Sequence, residues 1–202
     1  MMTTDIDSTD VSQAKLLKEI AVGNEVAFRK VYHDYYKKLL GFAFTLTKNK
    51  EAAEELVEDV FIKIWKNRQY AEAIQNLKVY LYTATKNTCL NYLSSKANDS
   101  ITKPFDAINI VLSDPVCPDQ LLIYMETFAK IKSAIDTLPP RCKMIFKLIR
   151  EDGLKYKEVA EILNVSPNTV DAQMTIAIRR IGLLLRGEFE KIPAGHLQKN
   201  KS

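Results

Sequence analysis

An all-α fold, made of two small helical domains joined by a flexible linker, with a helix-turn-helix in the second, follows from three observations. Only six glycines and seven prolines occur among 202 residues, and Ala, Leu, Ile, Lys and Glu are abundant, as in helices rather than sheets. Apolar residues recur every three or four positions over most of the chain. Between Ala97 and Asp119 that rhythm stops, and Asn98, Asp99, Ser100, Pro104, Ser113, Asp114, Pro115 and Pro118 punctuate the sequence. At 47% hydrophobic the chain can build one large core or two smaller ones, and the break favours two.

The elements follow in order. The start, MMTTDIDSTDVSQ, is acidic and polar and reads as disordered; Ser12 to Val22 then forms a short helix with Ala14, Leu17 and Ile20 on one side and Gly23 as its stop. Asn24 caps a long helix whose Phe28, Tyr32, Tyr35, Leu39, Phe42 and Leu46 make one apolar stripe. The next helix starts near Asn49, carries Glu51, Glu54 and Glu55 where the helix dipole favours acids, and ends near Asn67. Its two stripes, Leu56-Val60-Ile64 and Val57-Phe61-Trp65, form a face too wide for a single contact. Arg68 to Gln75 is a connector, and Asn76 caps a third helix to about Lys96, on which Tyr80, Tyr82 and Tyr92 alternate with Lys78, Lys86, Asn87 and Asn91. Helical character resumes from Gln120 to Leu138, breaks at Pro139-Pro140 and returns from Arg141 to Arg150. The expected boundaries are an extension over 1–23, a bundle over 24–96, a linker over 97–119, a helix-turn-helix domain over 120–187 and a frayed basic tail over 188–202.

The stretch from Tyr156 to Thr175, YKEVAEILNVSPNTVDAQMT, reads as two helices joined by a tight turn. Ala160 is small where helices must cross, and Val159 and Leu163 lie one turn apart. Asn164 tolerates a positive φ in the turn, and Val165 can plug the angle between the helices. Ser166 is a natural N-cap and Pro167 a natural first helical residue. The second helix continues through Val170, Met174, Ala177, Ile178 and Ile181 to about Arg186-Gly187. A DNA-reading helix-turn-helix is one reading, an ordinary helical hairpin the other; small residue, turn residue, plug and cap in register favour the first.

Twenty-five acidic residues nearly balance 29 basic ones, leaving a net charge of +4, which fits separate basic and acidic surfaces better than a uniformly cationic binder. Cys89, Cys117 and Cys142 are odd in number and lack CxxC spacing, so neither a disulfide framework nor a zinc site is indicated. With no apolar signal region and no membrane-length run, a cytosolic protein is expected. An enzyme is disfavoured. His33 and His196 are the only histidines, and no nucleophile, phosphate loop or paired carboxylates are evident, so no catalytic residue, metal, cofactor or small-molecule substrate is expected. One helix-turn-helix without a dimerisation element binds DNA weakly, so a second anchor is needed. The aromatic-basic helix suits exposed bases and phosphates, although spacing alone favours Tyr80, Tyr82 and Tyr92 as core residues, since aromatics on helices usually pack.

AEELVEDVFIKIW at Ala53 to Trp65, NLKVYLYTATKNTCLNYL at Asn76 to Leu93 and LPPRCKMIFKLIREDGLKYKEVAEILNVSPNTVDAQMTIAIRRI at Leu138 to Ile181 resemble, in order and spacing, the sigma-70 family. The likeness is to its small extracytoplasmic-function subgroup, which keeps only the second and fourth sigma domains. It implies a sigma factor that binds core RNA polymerase through the β′ coiled coil and the β subunit, directs it to promoter DNA and helps open the duplex. It implies that Glu55, Leu56, Glu58, Asp59 and Phe61 form the polymerase face, with a charged rim and Leu56 or Phe61 as anchor; the family usually has Gln where Glu58 stands. Tyr70, Gln75 and Asn76 match the loop that captures an unstacked base of the downstream element, and Tyr80, Lys86, Asn87 and Asn91 match positions facing the separated strand.

Upstream-element readers matched in the same way are Ser166, Pro167, Asn168, Thr169, Asp171, Ala172 and Thr175, with Arg179 and Arg180 adding backbone contacts. Asp171 and Ala172 depart from the basic and polar residues many relatives carry, and Arg141, Lys143, Lys147, Lys155 and Lys157 are candidate compensating phosphate contacts. Kinship further implies an anti-sigma factor that wedges between the domains, at times holding the protein at the inner membrane face. The competing readings are a free-standing helix-turn-helix regulator with an N-terminal sensing or dimerisation bundle, and a protein adaptor whose helix-turn-helix has lost DNA binding.

Overall fold

A computed structural model describes residues 8–96 and 131–189, and among these every regular element is helical. The first unit holds α1 (Ser8–Ala21), α2 (Glu25–Thr47), α3 (Lys50–Lys66), a 3-10 turn η1 (Arg68–Ala73) and α4 (Leu77–Lys96). The second holds α5, described over 131–136, then α6 (Pro140–Arg150), α7 (Tyr156–Leu163) and α8 (Pro167–Phe189). Three asparagines start the long helices of the first unit by accepting otherwise orphaned backbone N–H groups. Asn24 Oδ1 takes Val26 N at 2.9 Å, Asn49 Oδ1 takes Ala52 N at 2.7 Å and Asn76 Oδ1 takes Val79 N at 3.1 Å. α1 begins a turn earlier than the periodicity indicates and stops at Gly23, whose φ of +88° suits glycine. Leu17 and Ile20 of α1 are buried, whereas Ala14 faces solvent.

Leu39, Phe42 and Leu46 of α2 are buried against both apolar stripes of α3, and only Trp65 of those stripes stays partly open. Phe28 meets Trp65 at a tilt with 4.9 Å between centroids, and Tyr32 lies 4.8 Å from Phe61. Each such large side chain contributes about 1.5–3 kcal/mol by leaving water. A wide α3 face is satisfied within the unit because α2 and α4 cover it from two sides.

In the second unit Met144, Ile145 and Leu148 of α6, Val159, Ala160 and Ile162 of α7, and Val170 and Met174 of α8 are buried. Asn164 turns the chain with φ 54° and ψ 52°, as its αL tolerance foretold, and Val165 N donates to Ala160 O at 2.9 Å. Ser166 Oγ accepts Thr169 N at 3.1 Å and caps α8. Ile178 departs from the expected stripe and is 50% exposed. At 100° per residue it lies about 80° from Val170, outside the narrow sector shared by Val170, Met174, Ala177 and Ile181. Gly187 does not stop α8, which runs on to Phe189.

The main core is shared: most buried residues of α2 to α4 run without interruption into those of α6 to α8, while Ile135, Leu138, Cys142 and Ala177 form a smaller cluster of the second unit alone. α7 lies on α4, which makes the join. The expected linker, the start of the helix from Gln120 and the basic tail lie outside the described residues. Cys89 and Cys142 are free, buried thiols, and burial pushes Cys89 up to about 12. Cys117 lies outside the described residues.

Candidate nucleic-acid and polymerase interfaces

η1 reverses the chain between α3 and α4 and thereby shapes a groove of about 790 Å³. Tyr70, Gln75, Asn76, Tyr80 and Asn87 all line it, so five of the seven residues expected at a downstream-element site come together. Tyr70 is 66% and Tyr80 43% exposed, and Asn67 adds a further amide. Flat aromatic faces beside amide donors and acceptors can stack a base and hydrogen-bond its edge. Asn91 is exposed outside the lining, and Lys86 is turned away to donate from Nζ to Ile162 O at 2.7 Å, its pKa lowered by burial. Tyr82 is a core residue, 1% exposed and 5.3 Å from the Phe42 ring, and Tyr92 lies under Lys96. The aromatic-basic pattern is thus split between core and surface.

Gln13 of α1 was not foreseen. Its Nε2 donates to Gln75 O at 3.0 Å and its Oε1 accepts Leu77 N at 3.3 Å, bracing the groove loop on both sides of Asn76. A single polar side chain 62 residues upstream carries no periodic signal, so only the fold reveals it.

The seam between the units crosses the edge of this groove. Asn76 Nδ2 donates to Glu158 Oε1 at 3.1 Å, while Glu158 Oε2 accepts Lys155 N at 2.7 Å and lies 3.8 Å from Lys78 Nζ. Glu161 stands in the groove wall. Behind it, the buried Tyr82 hydroxyl and Asp152 carboxyl face each other and interact, although Tyr82 Oη and Asp152 Oδ2 fall short of a well-formed hydrogen bond. Burial pushes Asp152 up to about 6, opposed by the neighbouring Tyr82 hydroxyl, Lys147 and Lys38 and reinforced by Glu151. Tyr82 itself is pushed upward, by burial first and by Asp152 second.

Lys143 and Lys147 are 3% and 4% exposed, against the expectation of surface cations reaching phosphates. Each is spent on an acid: Lys143 on Asp136, and Lys147 on Glu151 at 3.8 Å. Lys48 caps α2 in a left-handed conformation at φ 57°. Burial, then Lys143 and Lys147, lowers it to about 8, so like charges meet across the seam.

Beyond the turn, α8 presents a face opposite its core stripe. Ser166, Pro167, Asn168, Asp171, Ala172, Thr175 and Arg179 are exposed and Thr169 is partly so. Asn168, the adjacent Asp171 and Ala172, Thr175 and Arg179 lie one turn apart in succession, the geometry of a helix face that can enter a major groove. Lys155 and Lys157 are exposed nearby.

On α3, Glu55, Glu58 and Asp59 are exposed, but Leu56 and Phe61 are 8% and 2% exposed and belong to the core. The expected anchor is corrected accordingly: the helix turns both residues toward α2 and α4. Ile62 is 48% exposed and shares a face with Glu55, Glu58 and Asp59, so it is the apolar side chain available there.

The family description Sigma-70 region 2 matches residues 31–98 and Sigma-70, region 4 matches 128–181. These spans coincide with the groove-bearing unit and the helix-turn-helix unit. A curated relative, the ECF RNA polymerase sigma factor SigW of Bacillus subtilis (strain 168), is 22% identical over 79% of this chain and 89% of its own length. The solved sigma factor RpoE of Bartonella quintana, in complex with the anti-sigma factor NepR, superposes with a TM-score of 0.54 at 23% identity, covering 79% of this chain and 96% of that one. CnrH in complex with the cytosolic domain of CnrY gives a TM-score of 0.55 at 15% identity, covering 88% and 99%.

Proposed function

The chain belongs to the sigma-70 family as an RNA polymerase sigma factor of the extracytoplasmic-function group, and from that premise we propose how its surfaces divide the work. The observation that supports the reading is that the region 2 match falls on the unit with the groove lined by Tyr70, Gln75, Asn76, Tyr80 and Asn87, and the region 4 match on the unit with the exposed face of α8. Tyr70, Gln75, Asn76, Tyr80 and Asn87 receive an unstacked base of the downstream element. Extrusion costs a few kcal/mol, which ring stacking and amide hydrogen bonds offset. Asn168, Asp171, Ala172, Thr175 and Arg179 of α8 meet the upstream element, Arg179 at phosphate and Asp171 as an acceptor for a cytosine amino group. Glu55, Glu58 and Asp59 steer a basic polymerase surface while Ile62 is buried on contact.

The chain supplies address and opening, and polymerase supplies the chemistry. No described helix is long and apolar enough to cross a membrane, which fits a cytoplasmic factor held, when inactive, by an anti-sigma partner. RpoE of Bartonella quintana is solved with the anti-sigma factor NepR, and CnrH with the cytosolic domain of CnrY. The test is transcription from a genomic fragment library by core polymerase with and without the chain, with start sites mapped. New starts that share two sequence blocks at fixed spacing support the reading; tight autonomous duplex binding with no effect on polymerase supports a free-standing regulator instead.

A further inference from the structure

α1 lies wholly before residue 31, where the region 2 match begins, so that match gives it no role. Leu17 and Ile20 bury its inner face, and Gln13, one turn before Leu17, spends both ends of its carboxamide on the groove loop. Nε2 donates to Gln75 O at 3.0 Å while Oε1 accepts Leu77 N at 3.3 Å, so one flat amide spans the two flanks of Asn76. Leu77 opens α4, and its N–H is among those the helix cannot satisfy internally. Asn76 Oδ1 takes Val79 N and Gln13 Oε1 takes Leu77 N, so α4 is capped once from the loop and once from α1.

Behind the loop the packing is open. Between α1 and η1 lies a cleft of about 270 Å³ lined by Gln13, Leu17, Lys18, Glu72, Ile74 and Gln75. Gln75 also lines the groove, so the loop is a thin wall between two spaces. Packing does not fix the Gln75 backbone from the cleft side; the Gln13 amide does. A pocket that reads a base edge needs its donors and acceptors held within about 0.5 Å of the productive geometry.

We propose that Gln13 is a positioning residue for base capture: by clamping the wall between cleft and groove it sets where the Gln75 and Asn76 amides stand, so that selectivity at one base of the downstream element depends on a helix outside the region 2 match. This rests on the sigma-factor reading of the groove. Gln13 acts through the backbone of Gln75 and the first N–H of α4. Without the clamp Gln75 can yield toward the cleft, and a base edge that pairs poorly with the two amides is rejected less strongly.

The test uses the full chain with core polymerase and promoter libraries in which each position of the two shared sequence blocks is randomised in turn. Gln13→Met keeps an unbranched, helix-favouring side chain and removes both bonds, and Gln13→Ala removes the side chain. Lys15→Met, exposed on α1, controls for an altered helix surface. The expected result is that both Gln13 variants lower the ratio of preferred to disfavoured base about tenfold at one position of the downstream block. Selectivity in the upstream block and co-purification with core stay at the parent's level, and Lys15→Met matches the parent throughout. Unaltered selectivity overturns the proposal, as does an equal loss at every position or a parallel loss of core association, which a merely structural Gln13 would give. A parent chain that starts no transcription with core sinks the sigma-factor reading and this inference with it, whereas a selective parent with equally selective Gln13 variants sinks the inference alone.

Discussion

Asn76 and Glu158, 82 positions apart, are joined by a hydrogen bond of 3.1 Å from the Asn76 amide to Glu158 Oε1. The same asparagine caps α4 with its oxygen, so one side chain both starts the helix of the candidate promoter face and fastens that face to the second unit. Asn76→Asp keeps the cap oxygen, removes the donor and sets two carboxylates against each other. Thermal unfolding of Asn76→Asp should therefore come earlier despite its intact cap, whereas Asn76→Ala removes the cap and the donor without the repulsion and should cost about 1 kcal/mol. Parallel denaturation curves of the two variants distinguish cap from latch.

Asp152 gives the fold a pH dependence whose sign is fixed by its pKa, raised from the ordinary 3.8 to about 6. The folded chain binds this proton more tightly than the unfolded one, so the stability is fully present below about pH 3.8 and is lost as pH rises through about 6. The groups facing it are Tyr82 of α4, Lys38 of α2, and Lys147 and Glu151 at the end of α6. Asp152→Asn should therefore be more stable than the parent at pH 7.5, by up to about 3 kcal/mol, and the gap should shrink toward pH 5. A constant difference across urea unfolding at pH 5, 6, 7 and 8 contradicts this.

Gln13→Ala should loosen the groove loop without unfolding the bundle, since Leu17 and Ile20 still anchor α1. Hydrogen exchange should quicken at the amide of Leu77, with α2 and α3 unchanged. Equal acceleration throughout the first unit would make Gln13 a general stabiliser and not a local brace.

Charge reversal at Glu55 and Asp59, or Ile62→Ala, should weaken association with core polymerase by about tenfold and leave single-stranded DNA binding intact. Co-purification with core and anisotropy with an oligonucleotide measure the two separately. Equal loss in both would place the polymerase contact elsewhere.

Arg179→Ala should weaken upstream duplex binding alike for all sequences and reduce the salt slope by about one. A loss confined to one base pair would make Arg179 a base reader.

Local features of the fold were legible because each is encoded within a few residues. Asn24, Asn49 and Asn76 announced three helix starts, and Asn164, Val165 and Ser166 announced the turn before α8. Exposure within one helix was harder to read: Phe61 and Ile62 are adjacent, and only the positions of α2 and α4 decide that Phe61 is covered and Ile62 open. Lys143 and Lys147 read as surface cations because their burial depends on the first unit and on Asp136 and Glu151. Gln13, Glu158 and Glu161 escaped notice for the same reason, since their partners lie in distant sequence and their types are common on solvated helices. The groove residues were found through family likeness, which supplied the pairing that spacing lacked.

The central claim, that this chain opens promoters only as part of the polymerase, is tested most directly by permanganate reactivity of thymines at one mapped start site. Reactive thymines should appear when core and chain are combined, and with neither alone. Opening by core without the chain, or an unaltered duplex when both are present and transcription buffer is supplied, would contradict the account.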